Sequence, residues 1–208
     1  MNERNIDPNA PMVALTYDDG PSLSLTPILL EELKKNNSVA TFFLLGNNVE
    51  VYPDIAKMIV ENGNEIGIHG YDHSDLSVLS AEELQQQMDT TREIIEGATG
   101  YTPVIMRPTY GFLSDTLREN VNMPIILWSI DTFDWANRNA EAVYNSIIEN
   151  VNDGDIILMH DIIESTIEAS KAIIPELISK GYQLVTVSEL SKYKGVPLEP
   201  GVVYNKIE

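Results

Sequence analysis

The chain has 208 residues, 43% of them hydrophobic, enough for one large core or two small ones. Lys and Arg total 13 against 32 Asp and Glu, a net charge of −19, and such a surface repels nucleic acid and anionic membranes. With no cysteine there is neither a disulfide nor a thiolate metal site, and no stretch reaches the ~20 apolar residues of a membrane helix.

The first segment, "MNERNIDPNAPM", is polar and lacks an apolar h-region, so no leader is read in it, and residues 1–11 are taken as an extension. "VALTY" (13–17) alternates as a half-buried strand and runs into Asp18 and Asp19, then Gly20 and Pro21. Adjacent carboxylates repel, and burial raises the pKa of at least one, so the pair asks for a reason. Thr26 followed by Pro27 reads as an N-cap and first helical residue, with Leu29, Leu30 and Leu33 at helical spacing behind them. "ATFFLLG" (40–46) is a strand, Pro53 opens a helix that Gly63 ends, and "EIGIH" (65–69) is the next strand. Ser80 and Glu83 form a capping box ahead of "LQQQMDTTREII". Strands follow at "VIMR" (104–107), "PIILWSID" (124–131), "DIILMH" (155–160) and "QLVTV" (183–187), with helices around 115–121, 139–151 and 166–180. Several of these strands are continuous apolar runs, which suits burial on both faces of a parallel sheet. Seven strands alternating with about six helices define an α/β fold, wound open or closed into a barrel.

Ionisable residues gather where this reading puts the strand C-termini: Asp18 and Asp19, His69, Arg107, Asp131 and His160. That edge of an α/β sheet is where active sites are built. Two of the chain's three histidines, His69 and His73, lie four residues apart, a spacing that lets both imidazoles converge on one ion. One aspartate of the 18/19 pair completes a His, His, Asp set suited to Zn²⁺ or a similar divalent ion, and the other is free to act as a base. Arg107 can help hold that base ionised, although an arginine satisfying loop carbonyls is the blander reading. "DTFDW" supplies Asp131, Asp134 and Trp135, and His160 paired with a buried carboxylate would stay protonated as a general acid. Simple packing accounts equally well for Trp135, and a core histidine bonded to a carbonyl for His160.

These segments resemble the polysaccharide deacetylase family, also called the NodB-homology domain or carbohydrate esterase family 4. Five motifs run in the family order: "TYDDGP" (16–21), "HGYDH" (69–73), "RPTYG" (107–111), "DTFDW" (131–135) and the "LMH" that ends at His160. "ATFFLLG" and "GYQLVTVSEL" look family-like as well. The resemblance implies a distorted (β/α)7 barrel in a single domain, with residues 12–193 as the catalytic domain and 194–208 as a tail. It implies Asp18 as base, held by Arg107; Asp19, His69 and His73 as metal ligands; and His160 as acid, oriented and charged by Asp134. It further implies Tyr110 as a backbone oxyanion donor, and Trp135 and Leu158 as the walls of the acetyl pocket. The cofactor implied is one divalent ion, Zn²⁺ first and Co²⁺ as the alternative. The substrate implied is an acetylated polysaccharide, foremost N-acetylglucosamine polymers such as peptidoglycan, with acetylxylan and chitooligosaccharides behind. An inactive carbohydrate-binding relative is the reading of another class. No nucleic-acid partner and no membrane-spanning segment are expected, and a monomer is. Location follows the family, secreted or at the cell surface, with a cytoplasmic home as the alternative. Three positions depart from the family pattern: Tyr17 for Phe, Gly70 for Ser or Thr, and Thr109 for the second Pro of its motif. The change at Gly70 implies a less braced metal loop, and none of the three removes a ligand or a catalytic group.

Overall fold

The computed structural model describes residues 4–208. Strand β1 (Met12–Asp18) lies at the centre, with every residue buried. It pairs in parallel with β2 (Thr41–Leu44) on one side and β6 (Ile156–His160) on the other. β3 (Glu65–Ile68) extends the sheet beyond β2, and β5 (Ile130–Asp131) extends it beyond β6. Met106 bridges β3 to β4 (Ile125–Ile126), and β7 (Gln183–Leu184) pairs with the foot of β1. The result is a distorted (β/α)7 barrel, as the resemblance implies, and the barrel is the one of the two arrangements that the strand count left open.

Nine helices flank it among the described residues: α1 (Thr26–Lys35), α2 (Gly46–Val51), α3 (Pro53–Glu61), α4 (Ala81–Thr99), α5 (Asp115–Asn120), α6 (Asp134–Asn137), α7 (Ala140–Ile148), α8 (Glu164–Ser179) and α9 (Val187–Lys194). The period-2 pattern of β1 explains how the core divides. Val13, Leu15 and Tyr17 join the apolar layer that also buries Leu29, Leu33, Ile59 and Ile173 from the helices. Met12 and Ala14 face the other way, into a cluster with Phe43, Ile105, Ile126, Ile156 and Ile207. Two residues further along β1, that second face carries Thr16 and Asp18, both buried. One strand face is therefore apolar at the foot of the barrel and polar at its C-terminal mouth.

Three details differ from the sequence expectation. The "PIILWSID" run is broken into β4 and β5, because Leu127 and Trp128 leave the sheet while Ser129 returns to donate to Ile156 O. Thr26 is the first helical residue rather than the cap; its hydroxyl accepts from Ser22 N and donates to Asp161. The 194–208 stretch is built into the barrel: β8 (Val203–Tyr204) pairs in parallel with β4, and Ile207 is buried. Among the described residues, no helix is long and apolar enough to cross a membrane.

Candidate active site

The strand ends meet around a cavity of about 470 Å³, lined by Asp18, Asp19, His69 and His73 on one side and by Tyr110, Phe112, Trp128, Asp131, Trp135, Leu158 and His160 around the rest. β1 and β6 are in register there, with Asp18 opposite His160. β3 ends beside them and delivers His69, whose N–H donates to Leu44 O.

The paired aspartates diverge. Asp18 ends β1 and receives Arg107 Nη1 at 2.7 Å. Arg107 is fully buried, and its other donors go to Thr16 Oγ1, Ile126 O and Leu127 O, so the guanidinium is fixed where it meets Asp18. Asp19 turns away into the left-handed region at φ 71, with its backbone carbonyl held by Asn48 Nδ2. Its Oδ1 comes to 3.4 Å from His69 Nε2 and 3.3 Å from His73 Nε2. Burial works against its charge, but the close approach of His69 and the charges of His69, His160 and His73 win, holding its pKa below the usual carboxylate range.

The donor set fits a divalent ion. One ligand atom from each of Asp19, His69 and His73 lies within 4.8 Å of the other two. Asp19 Oδ1 is buried without a hydrogen-bond partner, an orphaned acceptor of the kind a cation satisfies. His69 Nδ1 sits 2.8 Å from Arg107 O, which fixes its proton there and leaves the Nε2 lone pair facing the cavity. His73 adopts φ 64 and packs edge-on against Tyr110, 4.5 Å between ring centroids. The loop that carries it is well braced despite Gly70. Gln87 Oε1 accepts from Tyr71 N, Gln87 Nε2 reaches Ser74 Oγ, and Thr109 Oγ1 donates to Ser74 O at 2.6 Å. Thr109, itself a departure from the family pattern, thus supplies a hydroxyl to this loop.

On the opposite wall, His160 Nδ1 lies 2.8 Å from Asp134 Oδ1. Burial opposes the imidazolium, but the Asp134 bond and the charges of Asp18, Asp134 and Asp19 outweigh it and raise the pKa to about 9. Asp134 is buried at the start of α6, and Trp135 follows it half exposed, lining the cavity rather than packing in the core. Leu158 lines the floor from β6, and Asp131 caps Phe133 N through its side chain. Tyr110 stands at φ 61 after Pro108 and Thr109.

Sequence reasoning did not single out several residues that belong to this region. Phe112 and Trp128 line the cavity, and Phe133 is half exposed beside Trp135, 6.0 Å between ring centroids. The aromatics next to "RPTYG" and within "DTFDW" and "ILWSI" were the available signal. Asp161, fully buried behind Gly20, has its pKa pushed up to about 7 by burial, against the hydrogen bond from Thr26 and with the Asp19 charge adding to it.

A parallel barrel whose mouth joins a carboxylate held by arginine, a His, His, Asp triplet and a His–Asp pair has the make-up of a metallohydrolase centre. Residues 5–123 match the family model described as polysaccharide deacetylase, and the chain belongs to that family. It is 41% identical over 192 residues to the peptidoglycan-N-acetylmuramic acid deacetylase PdaC of Bacillus subtilis, covering 92% of this chain and 41% of that protein. The chain thus spans about two fifths of that relative's length. Among solved structures, a T48 deacetylase with substrate superposes with a TM-score of 0.92 at 39% identity, covering 97% of this chain and 100% of that one. A family 4 acetyl xylan esterase from Clostridium thermocellum, in complex with a cobalt ion, gives 0.90 at 36% identity, covering 94% and 98%.

Proposed function

We propose that this chain is a metal-dependent hydrolase that removes acetyl groups from a polysaccharide, foremost the N-acetyl groups of N-acetylglucosamine polymers such as peptidoglycan strands. The observation that carries the reading is that one cavity is faced by a base held by Arg107, an acid held by Asp134, and three convergent metal-ligand atoms. Asp19, His69 and His73 would hold the ion, zinc first and cobalt second. When bound, it supplies positive charge that acidifies water and polarises a carbonyl.

The side chains divide the remaining work. Asp18, held in place by Arg107, takes the proton of a water as its oxygen bonds to the acetyl carbon. The Tyr110 N–H donates to the oxygen on which charge collects. His160, charged by Asp134, gives its Nε2 proton to the nitrogen as the C–N bond breaks, releasing acetate and a free amine. Leu158 and Trp135 enclose the methyl group. Phe112 and Phe133 offer flat apolar faces at the mouth, suited to sugar rings.

The mouth also favours one sugar. Among the described residues, neither arginine nor lysine lines the cavity, and Arg107 behind it is fully buried and already paired with Asp18. With the ion and the His160 imidazolium both engaged at the acetyl group and Asp131 on the wall, the lactyl carboxylate of a muramic acid meets no further cationic side chain among the lining residues, whereas N-acetylglucosamine brings no charge. Acetylxylan, equally neutral, is the second substrate. The surroundings proposed are the cell surface or the extracellular space, with the chain acting as a monomer and residues 12–193 holding the catalytic machinery.

An acetate-release panel tests this directly. N-acetylglucosamine oligomers, glycan strands containing muramic acid and acetylxylan are compared in the presence of zinc, of cobalt and of chelator. Release from the glucosamine oligomers that chelator stops and zinc restores is expected. Silence on all three substrates with metal bound would support the inactive carbohydrate-binding relative instead.

A further inference from the structure

We propose that Thr166, on α8, is a positioning residue for leaving-group protonation, acting through Asp134 on His160; the inference rests on the hydrolase reading of this site. Asp134 is fully buried and accepts four hydrogen bonds. Its Oδ1 takes His160 Nδ1 at 2.8 Å and Trp135 N at 2.9 Å. Its Oδ2 takes His160 N at 2.8 Å and Thr166 Oγ1 at 2.6 Å. Three of these donors come from His160 itself or from the residue next to Asp134. Thr166 adds a donor from a third element, α8, so the carboxylate plane is fixed against that helix as well as against β6, whose His160 N–H shares the same Oδ2. The Thr166 side chain is fully buried, so no bulk water can take over the bond, and its β-branched carbon restricts χ1.

The helix that presents Thr166 is itself pinned to the strand that carries the base. One turn on, Ser170 Oγ donates to Thr166 O at 2.8 Å and lies 3.0 Å from the Tyr17 hydroxyl. Burial raises the Tyr17 pKa, so this hydroxyl stays protonated. Tyr17 immediately precedes Asp18 and is one of the positions that depart from the family pattern. A buried chain of bonds therefore runs from β1 through α8 to Asp134, and it sets the acid's orienting carboxylate relative to the base's strand.

A residue that acts on the acid alone must matter more for a poor leaving group than for a good one. An amine leaving from an amide needs its proton as the C–N bond breaks, whereas 4-nitrophenolate leaves without one. The test compares wild type, Thr166→Val and Thr166→Ser on an N-acetylglucosamine tetramer and on 4-nitrophenyl acetate, with zinc affinity measured alongside. Thr166→Val is expected to lose roughly tenfold or more in kcat on the amide at little change in KM, part of the 10²–10⁴-fold that acid catalysis supplies. On the ester it should lose less than about threefold, with zinc affinity unchanged. Thr166→Ser, which restores the donor, should return the amide rate to within about threefold of wild type. Equal losses on both substrates, a fall in zinc affinity or an unaltered amide rate would each overturn the assignment. Thr166→Cys, a weaker donor of similar size, is read the same way if the valine variant does not fold. A wild-type protein inert on both substrates would overturn the hydrolase reading, and this assignment with it.

Discussion

Asp18 and Asp19 are identical in type and adjacent in sequence, and both approach His69 Nε2, at 3.7 and 3.4 Å, but they differ in their second partner. Asp18 receives Arg107, and Asp19 faces His73. The roles implied are base and ligand, and they separate in one experiment. Asp18→Asn should keep zinc affinity near wild type while losing on the order of a hundredfold or more in turnover, with no rescue at any zinc concentration. Asp19→Asn should lose zinc affinity first and recover part of its rate as zinc is added. Activity measured against zinc concentration for both variants decides; the opposite pattern would exchange the assignments. His160 gives a second outcome at this scale. Its folded pKa of about 9 lies above the ordinary histidine value, so between about 6.5 and 9 the folded state holds a proton that the unfolded state has lost. Its contribution to stability is therefore complete below about pH 6.5 and disappears as pH rises through 9. The thermal midpoint of the wild type should fall across that window relative to His160→Gln, measured without metal. Parallel curves would show that the ion pair with Asp134 is not formed.

At the level of elements, the loop between β3 and α4 joins sequence to chemistry. His73 sits in it at a positive φ, a backbone that costs about 1 kcal/mol or more for a non-glycine residue and needs support from its surroundings. Gln87 and Thr109 give that support, from α4 and from the segment after Met106. Gln87→Leu keeps the helix but removes both an acceptor and a donor. It should weaken zinc binding about tenfold, the lower end of losses seen when a ligand's outer hydrogen bonds are removed, while leaving the thermal midpoint of the metal-free protein within a few degrees. Unchanged zinc affinity would mean that the loop holds His73 unaided. The histidine pair was legible in sequence because its spacing is local, but its braces were not. Gln87 is one polar residue among three consecutive glutamines, and Thr109 was visible only as a departure from a pattern. The same division holds for the secondary structure. Strands with a clear pattern, the alternation at 13–17 and the apolar run at 155–160, could be read directly, although β1 is buried on both faces rather than one, and so could the capping box at Ser80. Met106 forms only a bridge and β4 and β5 are two residues each, and Ile126 O and Leu127 O accept from the Arg107 guanidinium instead of from a neighbouring strand. Helices α2 and α6 are too short for periodicity to record, whereas α9 carries a local signal that was not read, the capping box of Thr186 with Glu189.

For the molecule as a whole, the barrel is closed by its last residues. Ile125 N donates to Val202 O and Leu127 N donates to Tyr204 O, so the 202–204 segment completes the edge of β4. Beyond it, Lys206 bridges to Asp155, and Ile207 packs with Met12, Ile126 and Ile156 at the foot. Gly154 makes room for this, since a Cβ there would overlap the Ile207 carbonyl. The closure reaches the active site through two carbonyls. Ile126 O and Leu127 O hold Arg107, and Arg107 holds both Asp18 through its side chain and His69 through its carbonyl. Burying one isoleucine contributes about 2 kcal/mol, and loss of the strand pairing adds to that. Deleting residues 195–208 should therefore lower the thermal midpoint by about 10 °C or more, at about 2–4 °C per kcal/mol for a chain of this size. It should also cut turnover at temperatures where the shortened protein is still folded, because Leu127 is no longer fixed and the Arg107 fork loses its alignment on Asp18. Ile207→Ala separates the two effects. It removes apolar packing and leaves the Tyr204 bond to Leu127 in place, so it should lower the midpoint while sparing kcat. A deletion that left both the midpoint and kcat unchanged would mean that the barrel closes without these residues.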